Sequence, residues 1–149
     1  MSEMLANHYF QNRKFITAAP LLEKALKNSN DDSLKKKLII CYAESERISE
    51  AFNLFYSLIK TNIKIILDTN TSDEDCPCPD LIYQKENSFN STDLDFTNLL
   101  QLGMLWLFCD KQTSLNYFQK ALTIQSNNKE IIDIISIIKK HNQSQMLSH

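Results

Sequence analysis

The stretch DTNTSDEDCPCPD, Asp68 to Asp80, gathers the residue types in this chain most capable of binding an ion or reacting. It holds two of the four cysteines, two of the three prolines and five acidic side chains. It begins like a calcium loop, with oxygen ligands at Asp68, Asn70 and Ser72. However, Asp73 stands where the turn glycine is needed and Pro79 where the bidentate glutamate belongs, so a calcium site is rejected. Cys76 and Cys78, with Cys41 and Cys109, make the four thiolates of a structural zinc site. Zinc knuckles separate paired cysteines by at least two residues, though, and Cys41 and Cys109 fall in helical patterns whose packing accounts for them. No metal site is therefore expected, and Cys76 and Cys78 are the candidates for a thiol redox pair or a thiolate chelate. Each proline restrains the cysteine before it to extended geometry, so a rigid turn is the default reading. Asp73, Glu74, Asp75 and Asp80 would raise the thiol pKa values, which opposes reactivity.

Other catalytic residue types are sparse. His8 lies in a helical pattern beside Tyr9, while His141 and His149 fall near the C-terminus, and none is close in sequence to a serine or cysteine partner. The single glycine, Gly103, excludes phosphate-cradling loops, dinucleotide fingerprints and nucleophile elbows in their usual forms. Each of those needs several glycines for sharp turns or close ligand approach. No enzyme activity and no cofactor are expected.

The elements that position these residues read as helices. The chain has 149 residues, 43% hydrophobic and 23% charged, which fits one globular domain with a real core. Sixteen basic against eighteen acidic residues leave a net charge of −2, without the basic footprint of a nucleic-acid binder. The N-terminus lacks the basic flank and apolar core of a secretory signal, and no apolar run approaches the ~20 residues of a membrane span. The expected setting is cytoplasmic, with reduced cysteines.

Apolar residues recur at three- and four-residue steps. Leu5 and Tyr9, then Phe15, Ala18, Leu22, Ala25 and Leu26, give two helices broken near QNRK. Leu34, Leu38, Ile39 and Tyr42, then Ile48, Ala51, Phe55, Leu58 and Ile59, give two more, broken at ESERIS, with Ser33 and Ser49 as expected N-caps. Leu99, Leu102 and Trp106, then Leu115, Phe118, Ala121 and Leu122, give a third pair broken at CDKQT, its first helix capped by Thr92 or Asp93. A last helix is expected over Lys129–Lys140, followed by a frayed polar tail.

These pairs superimpose in register and resemble the tetratricopeptide repeat, a helix-turn-helix of roughly 34 residues. Leu5, Ala6, Tyr9, Phe15, Ala18, Leu22 and Ala25 occupy the family's pattern positions in the first pair. Leu38, Ile39, Tyr42, Ile48, Ala51, Phe55 and Leu58 do so in the second, and Leu102, Gly103, Trp106, Ser114, Phe118 and Ala121 in the third, with a turn one residue shorter. Ile39 and Leu58 depart from the pattern by standing where a small residue is usual. No repeat has the leading tryptophan or the closing proline. The small-residue column Ala18, Ala51, Ser114 measures an interruption: the first two are 33 residues apart and the last two 63. The resemblance therefore implies a single all-α domain over residues 1–149, a helical-hairpin array with repeats at about 2–32, 33–62 and 96–128. An insert at about 63–93 and a capping helix at about 129–140 complete it. Within the insert, the second helix of repeat two is expected to run on to Asp68. PDLIYQKE is expected to form a short helix after Pro79; the rival reading of the insert is a decayed repeat.

Such arrays bind partners on a concave face lined by the first helix of each pair. By the resemblance that face comprises Asn7, Phe10 and Gln11, with Glu3 at the margin. Lys36, Ile40 and Glu44 follow beside Ala43, then Leu100, Met104, Leu107 and Phe108. The groove runs from polar to apolar and suits a peptide or helix with hydrophobic anchors, unless Leu81, Ile82 and Tyr83 of the insert fold back over it. Chaperone-tail binding is not expected, because Glu3, Lys37, Thr97 and Gln101 fail to complete a carboxylate clamp around Asn7. Six isoleucines between Ile131 and Ile138 cover an arc of about 220°, wider than one neighbour needs. A homodimer through this helix is one way to cover the excess, and a deep notch in the same chain is the other. The expected function is a non-catalytic protein-binding or scaffold module. A metal-binding or redox-sensing protein is the alternative and an assembly chaperone a third reading.

Overall fold

The computed structural model describes residues 2–69, 82, 86 and 95–147; among these the chain is all-α, with eight helices and no strand. Helices α1 (Ser2–Gln11) and α2 (Phe15–Ser29) pack on each other, as do α3 (Asp32–Glu44) and α4 (Ile48–Asn62). A single turn, α5 (Lys64–Leu67), lies against α3 and α4. Helices α6 (Phe96–Trp106) and α7 (Lys111–Ile124) form a third antiparallel contact, and α8 (Lys129–Leu147) packs on α7 and α4. Contacts of α2 with α3 and of α4 with α6 join the three pairs.

The first two turns close in the same way. Arg13 takes a left-handed conformation at φ 59°, and the Lys14 amide donates to the Tyr9 carbonyl at 2.9 Å. Glu46 takes φ 61°, and the Arg47 amide donates to the Tyr42 carbonyl at 2.9 Å. Amides of Ala18 and Ala51 then donate to the carbonyls of Lys14 and Arg47 at 2.9 and 3.0 Å. A non-glycine residue in the left-handed region costs energy, and these turns stand because the bonds around them satisfy the carbonyls at the helix ends. The third turn is different: the Asp110 amide donates to the Trp106 carbonyl at 2.7 Å, with no left-handed residue.

Three expected caps are corrected. Asn30 ends α2 in the left-handed region, which leaves Asp31 as the one extended residue before α3, and its carboxylate accepts from the Ser33 amide at 2.9 Å. Ser33 is thus capped rather than capping. Ser49 lies inside α4, whose N-cap position is Arg47 without a side-chain cap. Helix α6 is capped by Asp95, which accepts from the Asn98 amide at 2.8 Å; Thr92 and Asp93 lie outside the described residues. Two lengths also differ from expectation. Helix α4 stops at Asn62 and the chain resumes as α5 after Ile63, with the Asn62 side chain drawn to Asp32 at 3.0 Å. Helix α8 continues to Leu147, because KHNQSQML has no glycine or proline to stop it.

The core runs through all three pairs. Phe10 meets Phe15 edge-on at 5.7 Å between α1 and α2, and Phe55 stacks on Phe118 at 5.8 Å between α4 and α7. The small residues Ala18, Ala51 and Ser114 are wholly buried. Gly103 allows the closest approach, because a Cβ there would lie 3.0 Å from the Phe118 ring. The Ser114 hydroxyl donates to the Gly103 carbonyl at 2.6 Å across the same crossing. On α8, Ile131, Ile134, Ile135 and Ile138 are buried within the chain, Ile137 is half-buried and Ile132 is 47% exposed.

Candidate functional site

The ten residues expected to line a concave face fall into two groups. At the α1 end Gln11 is exposed and Asn7 half-buried, its Oδ1 accepting from Lys37 Nζ at 2.8 Å. Glu44, at the end of α3, is also half-buried. The remaining seven are buried. Phe10 belongs to the α1–α2 core, Ile40 lies inside α3, and Leu100, Met104, Leu107 and Phe108 are enclosed around α6. Lys36 is only 7% exposed and donates to Thr69 Oγ1 at 3.2 Å.

The six apolar residues among them belong to one core cluster. Ile66 of α5 is buried, and α5 lies on α3. Leu67, Asp68 and Thr69 then run beside Leu107 and Phe108, forming with residues 109–112 the walls of a surface cavity of about 470 Å³. Ile82 is 1% exposed and part of the same core, while Leu81 and Tyr83 lie outside the described residues. Four apolar side chains that would be costly to leave in water are thus enclosed by their own polypeptide.

Several positioning contacts escape a reading of the sequence. Gln101 is buried and its Nε2 donates to the Ala43 carbonyl at 2.7 Å, tying α6 to α3. Its presence in the apolar run LLQLGMLW was the available signal, since a polar side chain there needs a buried partner. The Glu86 carboxylate accepts from Trp106 Nε1 at 3.1 Å and from the Tyr117 hydroxyl. Burial, then that carboxylate, raises the Tyr117 pKa. Nothing local in the sequence points to Glu86, because its partners are 20 and 31 residues away.

A second surface feature lies between α2, α3 and α4. The Tyr42 hydroxyl donates to Glu23 at 2.6 Å, and the Arg47 guanidinium sits over the Tyr42 ring at 4.4 Å. Arg47 also makes a two-pronged contact with Glu50 at 2.8 and 2.6 Å. That contact holds the Glu50 carboxyl below its ordinary range. These side chains fix the turn between α3 and α4, and their chemistry is that of a surface ion network.

Residues weighed for catalysis or metal binding are dispersed. The exposed His8 ring faces Asn12 at 3.3 Å. His141, on α8, is half-buried, and burial followed by the nearby Lys111 and Lys64 charges lowers its pKa; His149 lies outside the described residues. Cys41 is a buried free thiol. Cys109 lies in the turn after α6 rather than on a helix, and it is disulfide-bonded, which corrects the expectation that packing alone accounts for it. The candidates Cys76 and Cys78, and the calcium-loop residues from Asn70 on, lie outside the described residues. Among the described residues no group of three or more His, Cys, Asp or Glu is placed to hold a metal ion. No described helix is long and apolar enough to cross a membrane. No family model matches the chain, and no curated protein or solved structure matches it.

Proposed function

We propose that this chain is a tetratricopeptide-like helical-hairpin array in a cytoplasmic setting, acting as a non-catalytic protein-interaction or scaffold module. The observation that carries the reading is the shared geometry of the first two turns. Tyr9 and Tyr42, Arg13 and Glu46, Lys14 and Arg47, and Ala18 and Ala51 play matching hydrogen-bonding or conformational parts at a constant spacing of 33 residues. The burial of Ala18, Ala51 and Ser114 supports the same register.

In such an array the first helices of successive pairs share one face. On this reading its apolar end is buried in the core, so the part open to a partner is the polar end, with Asn7, Gln11 and Glu44. That end suits an extended peptide with polar or charged side chains, held by hydrogen bonds with modest apolar burial. Substitutions at Met104 or Phe108 would report on folding, because both side chains are enclosed. The informative variant is Asn7→Ala combined with Gln11→Arg. It is expected to keep its helical circular dichroism and to lose the proteins captured by the wild-type chain. Full retention of those proteins by the double variant would contradict the reading.

A further inference from the structure

Helices α2, α3 and α4 leave a surface groove of about 510 Å³ between them. Its floor is Leu38 and Tyr42 of α3, both buried, and its sides are the half-buried Leu26 of α2 and Leu54 of α4. The groove opens to solvent between the second helices of two successive pairs, whereas Asn7 and Gln11 lie on α1.

The two ends of the groove differ in charge. Glu23 and Glu50 stand at one end, where Arg47 contacts their carboxylates at 3.7 and 2.6 Å. Two carboxylates against one guanidinium leave that end with a net charge of −1. Lys27 and Ser57 stand at the other end, four residues beyond Glu23 on α2 and seven beyond Glu50 on α4. Lys27 is exposed, and its side chain makes no ion pair or hydrogen bond among the described residues. Leu26 and Leu54 fall between the two ends, and the distance from Glu50 to Ser57 along α4 is about 10 Å.

We infer that this groove docks a helical segment of another protein that presents an acidic, a large apolar and a basic residue on successive turns. The apolar side chain packs between Leu26 and Leu54, the acid meets Lys27, and the base meets the Glu23 and Glu50 end. Steps of four residues carry three side chains along one helix face over about 12 Å, which matches the groove within side-chain reach. With the acid N-terminal to the base, the segment runs antiparallel to α4 and its charges suit its own helix dipole. This inference does not depend on the interaction reading above, which rests on other residues.

The test titrates the isotopically labelled full chain with a synthetic helical peptide and follows its amides by nuclear magnetic resonance. The peptide is built on alanine and glutamine, is about 18 residues long, and carries Glu, Leu and Arg at four-residue steps. Saturable shifts are expected at Lys27, Tyr42, Leu54 and Ser57, and none at Asn7 or Gln11. Replacing the peptide's arginine with glutamate should weaken binding about fivefold, and replacing its leucine with alanine should abolish it. Lys27→Glu removes no contact within the described fold, so the variant should keep its helical circular dichroism. It should also reverse the charge preference, binding a peptide with arginine at both charged positions about fivefold more tightly than the first peptide. Absence of saturable shifts, an affinity indifferent to these charge changes, or shifts confined to α1 would overturn the docking inference.

Discussion

At the level of single residues, Gly103 and Cys41 make opposite demands. Replacing Gly103 with alanine gains about 1 kcal/mol of helix propensity. The added methyl, however, meets a Phe118 ring already stacked on Phe55 at 5.8 Å, and overpacking costs about 1–3 kcal/mol. Gly103→Ala is therefore expected to lower stability by about 1 kcal/mol in urea denaturation, and a stabilised variant would mean that the ring yields. Burial, then the neighbouring Glu44, pushes the Cys41 thiol up to about 12. The folded chain thus keeps the thiol protonated where the unfolded chain ionises. Stability from this source is intact below pH 9 and declines as pH rises from about 9 towards 12, by at most about 1.4 kcal/mol per pH unit. Comparing wild type with Cys41→Ala at pH 8 and pH 10 checks the sign: the variant should lose less stability at the higher pH. The sequence told the two residues apart only in part. Gly103 was recognisable as a close-packing position because it falls where the repeat pattern usually has a small residue, whereas the contrast between Cys41 and Cys109 depends on which neighbours the fold delivers.

Among the elements, helix positions were readable because apolar periodicity is local, while their ends were not. Asp31, Ser33 and Ser49 are all chemically fit to cap, and the choice fell to Asp31 because Asn30 turns left-handed just before it. Asp31→Ala should therefore cost about 1 kcal/mol and Ser33→Ala much less, measured by thermal denaturation. Helix α8 permits a similar contrast. Ile134 is 0% exposed and Ile132 faces solvent, so Ile134→Ala should cost about 3 kcal/mol while Ile132→Ala stays within about 0.5 kcal/mol. Equal costs would mean that the outer side of α8 is covered in solution. The Tyr56 hydroxyl, donating to Asp133 at 2.6 Å, holds this helix to α4. That bond spans 77 residues and could not be anticipated from periodicity.

For the molecule as a whole, the same distinction between local and distant contacts decides what was legible. The all-α architecture follows from scarce glycine and regular apolar spacing. The burial of Met104 and Phe108 does not, because it depends on packing between residues far apart along the chain, as where Leu67, Asp68 and Thr69 run beside Leu107 and Phe108. Leu100, Leu107 and Ile40 looked like the apolar lining of an open groove, and they are instead buried in the core. On the proposed reading a partner would meet Asn7 and Gln11, because Met104 and Phe108 are buried. The most direct test places a photo-crosslinking side chain either at Gln11 or at the exposed Asn53 on α4, and compares the proteins captured in living cells. The proposed interaction face predicts a discrete crosslinked partner from Gln11 that is absent from Asn53, whereas capture from Asn53 alone would contradict it.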